Sequence, residues 1–341
     1  MPVKKLTPKP LLLNEEQQAV VNAREGFWCV MSGPGSGKTS ACVRRMAALI
    51  QEGISPDQIL ALSFTATAAR NLRDRVEALV GKLEFTRVAG SMTLHSLALK
   101  FAVQEREEFS FELADQPLAT EPVALKLCAA VDRKHELDPR SLRPVVSVFK
   151  RNRVRPAEAI RLAESKLDAK QLRLALAYKA YEKVCRENKV LDFDSLMFEM
   201  VDLLEKKPEV RERWQYAFVT CDEAQDCCQT DWDLLKRLSE KHRALLVVGD
   251  PGQSVFGFRG ASPHLFLDME KMFPGTKKLF LATNYRSTKQ LVGFLKEIGP
   301  VQELASKFTT PNEEGVRPEV RGFPTPMHEA VWVVQQIKEM K

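Results

Sequence analysis

The chain lacks the features that would place it in a membrane, outside the cell or around a structural metal. None of its apolar runs approaches the ~20 residues that cross a bilayer, which excludes an integral helical membrane protein. The first thirteen residues hold a short Leu11–Leu13 run but no long apolar core and no small-residue cleavage site, so they do not read as a secretory signal. The cysteines (Cys29, Cys42, Cys128, Cys185, Cys221, Cys227 and Cys228) fall at no zinc or disulfide spacing, which leaves reduced thiols in a cytoplasmic protein as the simplest expectation. Neither internal repeats nor low-complexity segments occur. No sign of charge dominates: 51 Lys and Arg against 45 Asp and Glu leave +6, which permits a polyanionic partner without identifying one. With 44% hydrophobic and 28% charged residues the chain is globular rather than disordered. At ~150 residues per domain, 341 residues suggest two domains.

What is present alternates between two periods. Residues 27–31 are a short apolar run of strand formers, followed by a Gly/Ser turn at 32–37 and a helical stretch from Lys38 to Gln51. Ile59–Phe64 reads as a buried strand and Ala66–Val80 as a helix, with Leu72, Val76 and Leu79 on one apolar face. Val88–Thr93 is a weaker third strand. From about Leu97 to Val190 strand signals vanish and Ala, Leu, Glu, Lys and Arg dominate, which predicts a helical insertion. Strands return at Ala217–Cys221, Ala244–Gly249 and Lys278–Leu281. The tail predicts a strand at Glu319–Phe323 and an amphipathic helix at His328–Met340.

Ser32-Gly33-Pro34-Gly35-Ser36-Gly37-Lys38-Thr39 has the form of a Walker A loop. Its glycines let backbone N–H groups turn inward on phosphate oxygens at a helix N-terminus. Lys38 would reach the β- and γ-phosphates, and the Thr39 hydroxyl would bind Mg²⁺. A turn arising by chance is the bland alternative, and the preceding strand and following Lys-Thr pair weigh against it. Asp222-Glu223-Ala224-Gln225-Asp226 closes an apolar strand and supplies what such a loop still needs. Asp222 would hold Mg²⁺, and Glu223 is placed as general base.

Beyond these two motifs the sequence resembles the UvrD/Rep/PcrA family of superfamily 1 DNA helicases, in order from Leu13 to Ser287. Leu13-Asn14-Glu15-Glu16-Gln17 is similar to the family's Q motif, in which Gln17 would read the adenine edge. Ser63-Phe64-Thr65-Ala66-Thr67 and Thr93-Leu94-His95-Ser96 resemble segments that line the single-strand groove. Leu191-Asp192-Phe193-Asp194 resembles the return from the insertion, and Gly249 to Ala261 the segment joining the ATP site to DNA. Asn284-Tyr285-Arg286-Ser287 completes the series.

The resemblance implies a RecA-like α/β domain with a parallel sheet, from residues 1–98 and 190–277. It further implies an all-helical insertion at 99–189 and the start of a second RecA-like domain at 278–341. ATP and Mg²⁺ would be bound by Gln17, by residues 32–40 including Ser40, and by Tyr285 stacking on adenine. Gln253 would sense the γ-phosphate and Arg286 would stabilise the transferring phosphoryl group. Single-stranded DNA would lie against Phe64, Thr65, His95, Phe256, Phe258 and Arg259, with base–aromatic contacts worth ~1–3 kcal/mol each; duplex DNA is the other nucleic-acid partner. Core packing is the alternative for the aromatics, and capping of the following helix for His95. A 3′-to-5′ polarity is implied by the family alone.

Departures accompany the match. Ser32 stands at a position usually Gly or Ala, Ser40 where relatives often carry Arg, and Thr67 where they often carry Lys. The family's later motifs are not found before Lys341, so either the chain is a fragment or a partner, such as a nuclease subunit, supplies the rest. The alternative function is therefore an ATP- and DNA-binding regulatory subunit that cannot unwind unaided. Lys150-Arg151-Asn152-Arg153-Val154-Arg155 is a basic run that fits a phosphate-contacting patch or a solvated helix face equally well.

Overall fold

The computed structural model describes residues 13–82, 90–135, 139–254, 257 and 261–340. Six strands form one sheet: β1 (Gly26–Ser32), β2 (Ile59–Ser63), β3 (Gly90–Thr93), β4 (Phe218–Asp222), β5 (Ala244–Gly249) and β6 (Lys277–Leu281). Their order is β3-β2-β4-β5-β1-β6, and all five pairings are parallel. The architecture is the α/β, RecA-like one that the sequence predicts.

The strands read as continuous apolar runs because both faces of the sheet are covered. Successive side chains still alternate between faces. Val30, Ile59, Ala61, Leu246 and Val248 meet α2 (Lys38–Gln51) and α3 (Ala66–Val80), with α1 (Glu15–Asn22) beside them. Cys29, Met31, Leu60, Leu62, Leu245 and Val247 point the other way, into a larger core with Phe101, Met200 and Trp232. Those three residues lie on helices Leu94–Gln104, Phe193–Lys206 and Gln229–Leu238. A third hydrophobic cluster, built on Cys128, Leu142, Val146, Tyr178 and Tyr181, is confined to the helices between residues 121 and 187.

The register brings the functional ends together. Met31 pairs with Gly249, Asp222 with Val248, and Leu62 with Cys221, so β1, β2, β4 and β5 all finish at one edge. Ligands of parallel α/β sheets bind beyond the carboxyl ends of the strands.

Five expectations need correction. Strand β6 (Lys277–Leu281), expected at the start of a second domain, pairs with β1 in the same sheet. Residues 319–323 are irregular rather than a strand. The helix that follows, Pro326–Glu339, buries none of its residues, so its apolar positions meet no core among the described residues. Leu79 is 47% exposed although Leu72 and Val76 on its helix are buried, because the inward face at the end of α3 is carried by Val76 and Val80, which packs against the same core. The basic run at 150–155 is neither a free phosphate patch nor a solvated face. Lys150 is buried and bonds Asp192, Glu182 and Ser195; Arg151 pairs with Asp194, Arg153 with Glu205, and Arg155 with Asp202. Intramolecular carboxylates neutralise the run and tie the helical segment to helix Phe193–Lys206. The third strand starts at Gly90; Val88 and Ala89 lie outside the described residues.

Candidate active site

The loop from Ser32 to Gly37 owes its shape to left-handed glycines. Gly35 has φ +67° and Gly37 φ +81°, a backbone region in which a side chain is strained. Close packing adds to the requirement. A Cβ on Gly33 would lie 2.5 Å from the Phe308 ring, and one on Gly37 2.7 Å from Gln17 Nε2. Ser32, the departure from Gly or Ala, is accommodated because its buried hydroxyl donates to Gly249 O at the end of β5 (2.7 Å). Ser36 Oγ donates to Gly33 O (2.8 Å) across the loop.

Helix α2 has no side-chain cap at its N-terminus. Asn14, Thr65, Thr93 and Asp192 each cap a helix by accepting a backbone N–H, whereas Gly37 gives α2 no side-chain cap. Its first amides are therefore left for an anion, with the helix dipole in the same sense. Lys38, at the first position of α2, extends to Glu223 (Nζ–Oε2 3.0 Å).

Glu223 stands just past β4 with φ +56°, an uncommon conformation for a residue other than glycine. Its amide donates to Asp222 Oδ1 (3.0 Å). Burial, and then the Glu223 charge, push the Asp222 carboxyl up to about 6, against the opposing pull of Lys38. Asp226 is likewise pushed up to about 6 by burial and Glu223, and burial raises Asp250. Asp222, raised by burial and the neighbouring Glu223 charge, is the carboxylate whose repulsion a divalent cation would relieve. Asp222 and Thr39 are the residues that would hold it, beside an uncapped helix end that fits phosphate.

Gln225 was missed from sequence. It is buried; its Nε2 donates to Glu223 Oε2 (3.0 Å), and its Oε1 accepts from Asp250 N (3.0 Å). A neutral amide inside the acidic run Asp222–Asp226 was the available signal. Gln253 donates to Asp250 Oδ2 and shares a cavity of about 430 Å³ with Pro34, Arg286 and Phe308. The structure thus brings Gln253 and Arg286 to the same side of the loop. Asn284 Oδ1 accepts the amides of Arg286 and Ser287 (both 2.8 Å), which shapes the turn, and Tyr285 N donates to Gly35 O (3.0 Å). Tyr285 is 42% exposed. Gln17 is not held out for a base edge: its Nε2 donates to Ser36 O (2.9 Å), so in this structure it braces the loop. Ser40 follows Thr39 in the first turn of α2 and is partly exposed.

Phe64 and His95 line one small cleft of about 150 Å³, with Asp226, Thr230 and Asp231 on its wall. Thr65 Oγ1 accepts from Ala68 N (3.1 Å) as the cap of α3. Thr93, not His95, caps helix Leu94–Gln104. Instead, the His95 ring meets Phe193 edge-on at 5.5 Å. Phe256, Phe258 and Arg259 lie outside the described residues. All seven cysteines are free and buried, and no cluster of three or more metal-ligating side chains occurs among the described residues. No helix is long and apolar enough to cross a membrane among those residues.

Comparison with known proteins places the sequence in a family. The UvrD/REP helicase N-terminal domain family matches residues 13–274. The ATP-dependent DNA helicase PcrA of Staphylococcus epidermidis is 32% identical over 336 residues, covering 95% of this chain and 45% of that protein. PcrA of Staphylococcus aureus is 32% identical over 337 residues, with the same coverage. The chain therefore spans about half the length of the curated relatives it matches. On the match across residues 13–274 and the ordered motifs within it, the chain belongs to the UvrD/REP helicase N-terminal domain family.

Proposed function

We propose that this chain is the ATP-binding and single-strand-engaging part of an ATP-dependent DNA helicase or translocase. The observation that carries the reading is the Lys38–Glu223 pair at the uncapped start of α2, one residue from the buried Asp222. Mg²⁺ would neutralise phosphate charge and orient the γ-phosphoryl group. The chain's own groups do the rest. The α2 amides and Lys38 bind the phosphates, and the arriving γ-phosphate draws Lys38 away from Glu223. The freed Glu223 carboxylate then accepts a proton from the attacking water. Gln253 and Arg286, on the Pro34 side of the loop, address the terminal phosphate, and Tyr285 offers a face to the adenine.

Single-stranded DNA would pass the carboxyl ends of β2 and β3, where Phe64 and His95 lie. The division into residues 1–98 with 190–277, 99–189 and 278–341 is part of the same proposal. The cluster confined to the helices between residues 121 and 187 supports the insertion, whereas β6 (Lys277–Leu281) pairs with β1 and the larger core reaches Phe101 on one side and Val292 and Phe308 on the other, so residues 277–281 pack with the first domain. Duplex DNA as substrate and 3′-to-5′ movement follow from the resemblance.

Steady-state ATP turnover of this chain, with and without single-stranded DNA and beside Lys38→Ala, tests the reading. DNA-stimulated turnover that the substitution abolishes supports it. Failure of the chain to bind either a Mg-nucleotide or single-stranded DNA overturns it.

A further inference from the structure

Adjacent residues of α1 grip different parts of the nucleotide site. Gln17 Nε2 donates to Ser36 O in the phosphate loop (2.9 Å). Glu16, half-buried and about 100° away around the helix, reaches another segment. Its Oε2 accepts the backbone amides of Ala282 (3.0 Å) and Thr283 (3.1 Å), which follow β6 and lead into Asn284-Tyr285-Arg286. Glu16 forms no ion pair among the described residues, so its charge is directed at these two N–H groups. The helix behind it is well anchored: Asn14 closes a capping box on α1, and Val20 and Val21 are buried.

The segment after β6 lies directly on the loop. Leu281 O accepts from Gly33 N (2.9 Å), and Tyr285 N donates to Gly35 O (3.0 Å). Arg286 comes so near that a Cβ on Gly35 would lie 2.8 Å from its Cβ. From the other side, Thr309 N donates to Ala282 O (3.2 Å) and Thr309 O accepts from Asn284 N (2.7 Å).

We propose that Glu16 is a positioning residue for the γ-phosphate, setting how far Arg286 stands from the phosphate loop; this rests on the reading of Arg286 as a γ-phosphate ligand. Glu16 touches no phosphate. It fixes the main chain just upstream of Arg286, and Asn284 Oδ1, which accepts the amides of Arg286 and Ser287 (both 2.8 Å), carries that placement to the arginine. One turn of α1 thus braces the loop through Gln17 and the arginine-bearing turn through Glu16, and the gap between them is set by a rigid helix. Without the carboxylate, two amides lose their acceptor. The Tyr285 bond to Gly35 O remains, so the segment is loosened and not detached. Misplacement by about 1 Å is enough to weaken an aligned contact strongly.

The test needs no turnover. Affinities for ADP and for a non-hydrolysable ATP analogue, each with Mg²⁺, are measured by calorimetry, and their ratio is the preference for the γ-phosphate. Arg286→Ala is expected to reduce that preference by about 10–150-fold, the range for a charged hydrogen bond. Glu16→Ala is expected to reduce it about tenfold while ADP binds within about twofold of wild type. Glu16→Gln keeps an acceptor oxygen at the same reach and is expected to stay within about threefold of wild type. Glu16→Asp keeps the charge but withdraws it by one methylene; it is expected to lower the preference by a smaller factor, and it decides the matter if melting curves show that Glu16→Ala does not fold. Adding Glu16→Ala to Arg286→Ala is expected to change the preference no further, because the arginine through which Glu16 acts is gone.

Equal losses for ADP and the analogue in Glu16→Ala, an unchanged preference, or full additivity with Arg286→Ala overturns the role of Glu16 and leaves the reading of Arg286 standing. Wild-type protein without a γ-phosphate preference, or an Arg286→Ala variant that keeps it, fails the reading of Arg286, and the role of Glu16 falls with it.

Discussion

Two lysine–carboxylate pairs of nearly identical length do opposite work in this molecule. Lys38 lies 3.0 Å from Glu223, with the side chains 12% and 37% exposed; Lys150 lies 2.9 Å from Asp192, with exposures of 2% and 0%. The surroundings separate them. Lys150 is also held by Glu182 and Ser195, and Asp192 by Tyr181 OH (2.8 Å) and by the amide of Ser195 that it caps (2.7 Å). Burial opposes both charges, yet Asp192 and Glu182 hold the Lys150 ammonium above its ordinary range. Lys150 and Arg143 in turn hold the Asp192 carboxyl well below the usual carboxylate range. The outer pair has few such supports, and Asp222 beside it is raised by burial and by the Glu223 charge, with Lys38 opposing. A saturated pair is architecture; an unsaturated pair at a helix end is a site. Distance alone distinguishes nothing.

The comparison is broken most sharply by removing one partner at a time. At the outer pair, Glu223→Gln is expected to lower ATP turnover by about 10²–10⁴-fold, the usual range for a general base, with analogue binding retained. Lys38→Ala is expected to cost about 10²–10³-fold through lost charge stabilisation, read in the same assay. Neither change is expected to move the urea midpoint much, because Glu223 is 37% exposed and a pair open to solvent on one side contributes about 0–1 kcal/mol.

At the inner pair the outcome reverses. Lys150→Met leaves Asp192 buried without its main counter-charge and is expected to cost about 3–5 kcal/mol in urea unfolding. A stability loss at Lys38→Ala as large as that at Lys150→Met would erase the distinction between the two pairs.

Acid separates the pairs further. The folded value of Asp222 is raised, so protons compete for this carboxylate below about pH 6, and Mg²⁺-dependent nucleotide affinity is expected to fall as the pH drops through that range. The folded value of Asp192 is depressed. Its contribution to stability is therefore fully present above its unfolded value of about 4 and is lost only as the pH falls through the lower folded value. Mg²⁺ titrations between about pH 5 and 8 and urea melts at lower pH resolve the two effects. The smallest effect is expected from removing residues 326–341. That helix buries nothing, so the stability change should stay within about 0.5 kcal/mol by urea unfolding.

Much of the site was legible because phosphate chemistry is written in local sequence. Gly35 and Gly37 are required by their own backbone angles, Lys38 by its place at a helix start, and Asp222 and Glu223 by the end of an apolar strand. Gln225 was not legible as a link, since its partners Glu223 and Asp226 are near in sequence while Asp250 is twenty-five residues away. The basic run misled for a related reason. Charge composition shows that four cations lie close together, but the carboxylates that neutralise them at Glu182, Asp192, Asp194, Asp202 and Glu205 belong to two other helices or precede one of them. The tail strand at 319–323 failed because strand propensity needs a neighbouring strand to pair with, and these residues pair with none of the six strands of the sheet.

By itself, the sequence determined the elements whose signals are local: the buried strands, the phosphate loop, the acidic turn, the helical stretch between them and the order of motifs that marks the family. The tertiary structure alone decided which charges would be spent. It placed Lys38 at an uncapped helix end where its partner can be exchanged. It placed Lys150 among acceptors that leave it nothing further to bind. The physical reason is that a side chain's identity sets its charge. Whether that charge is available depends on desolvation and on every partner within a few ångströms, which a linear chain does not specify.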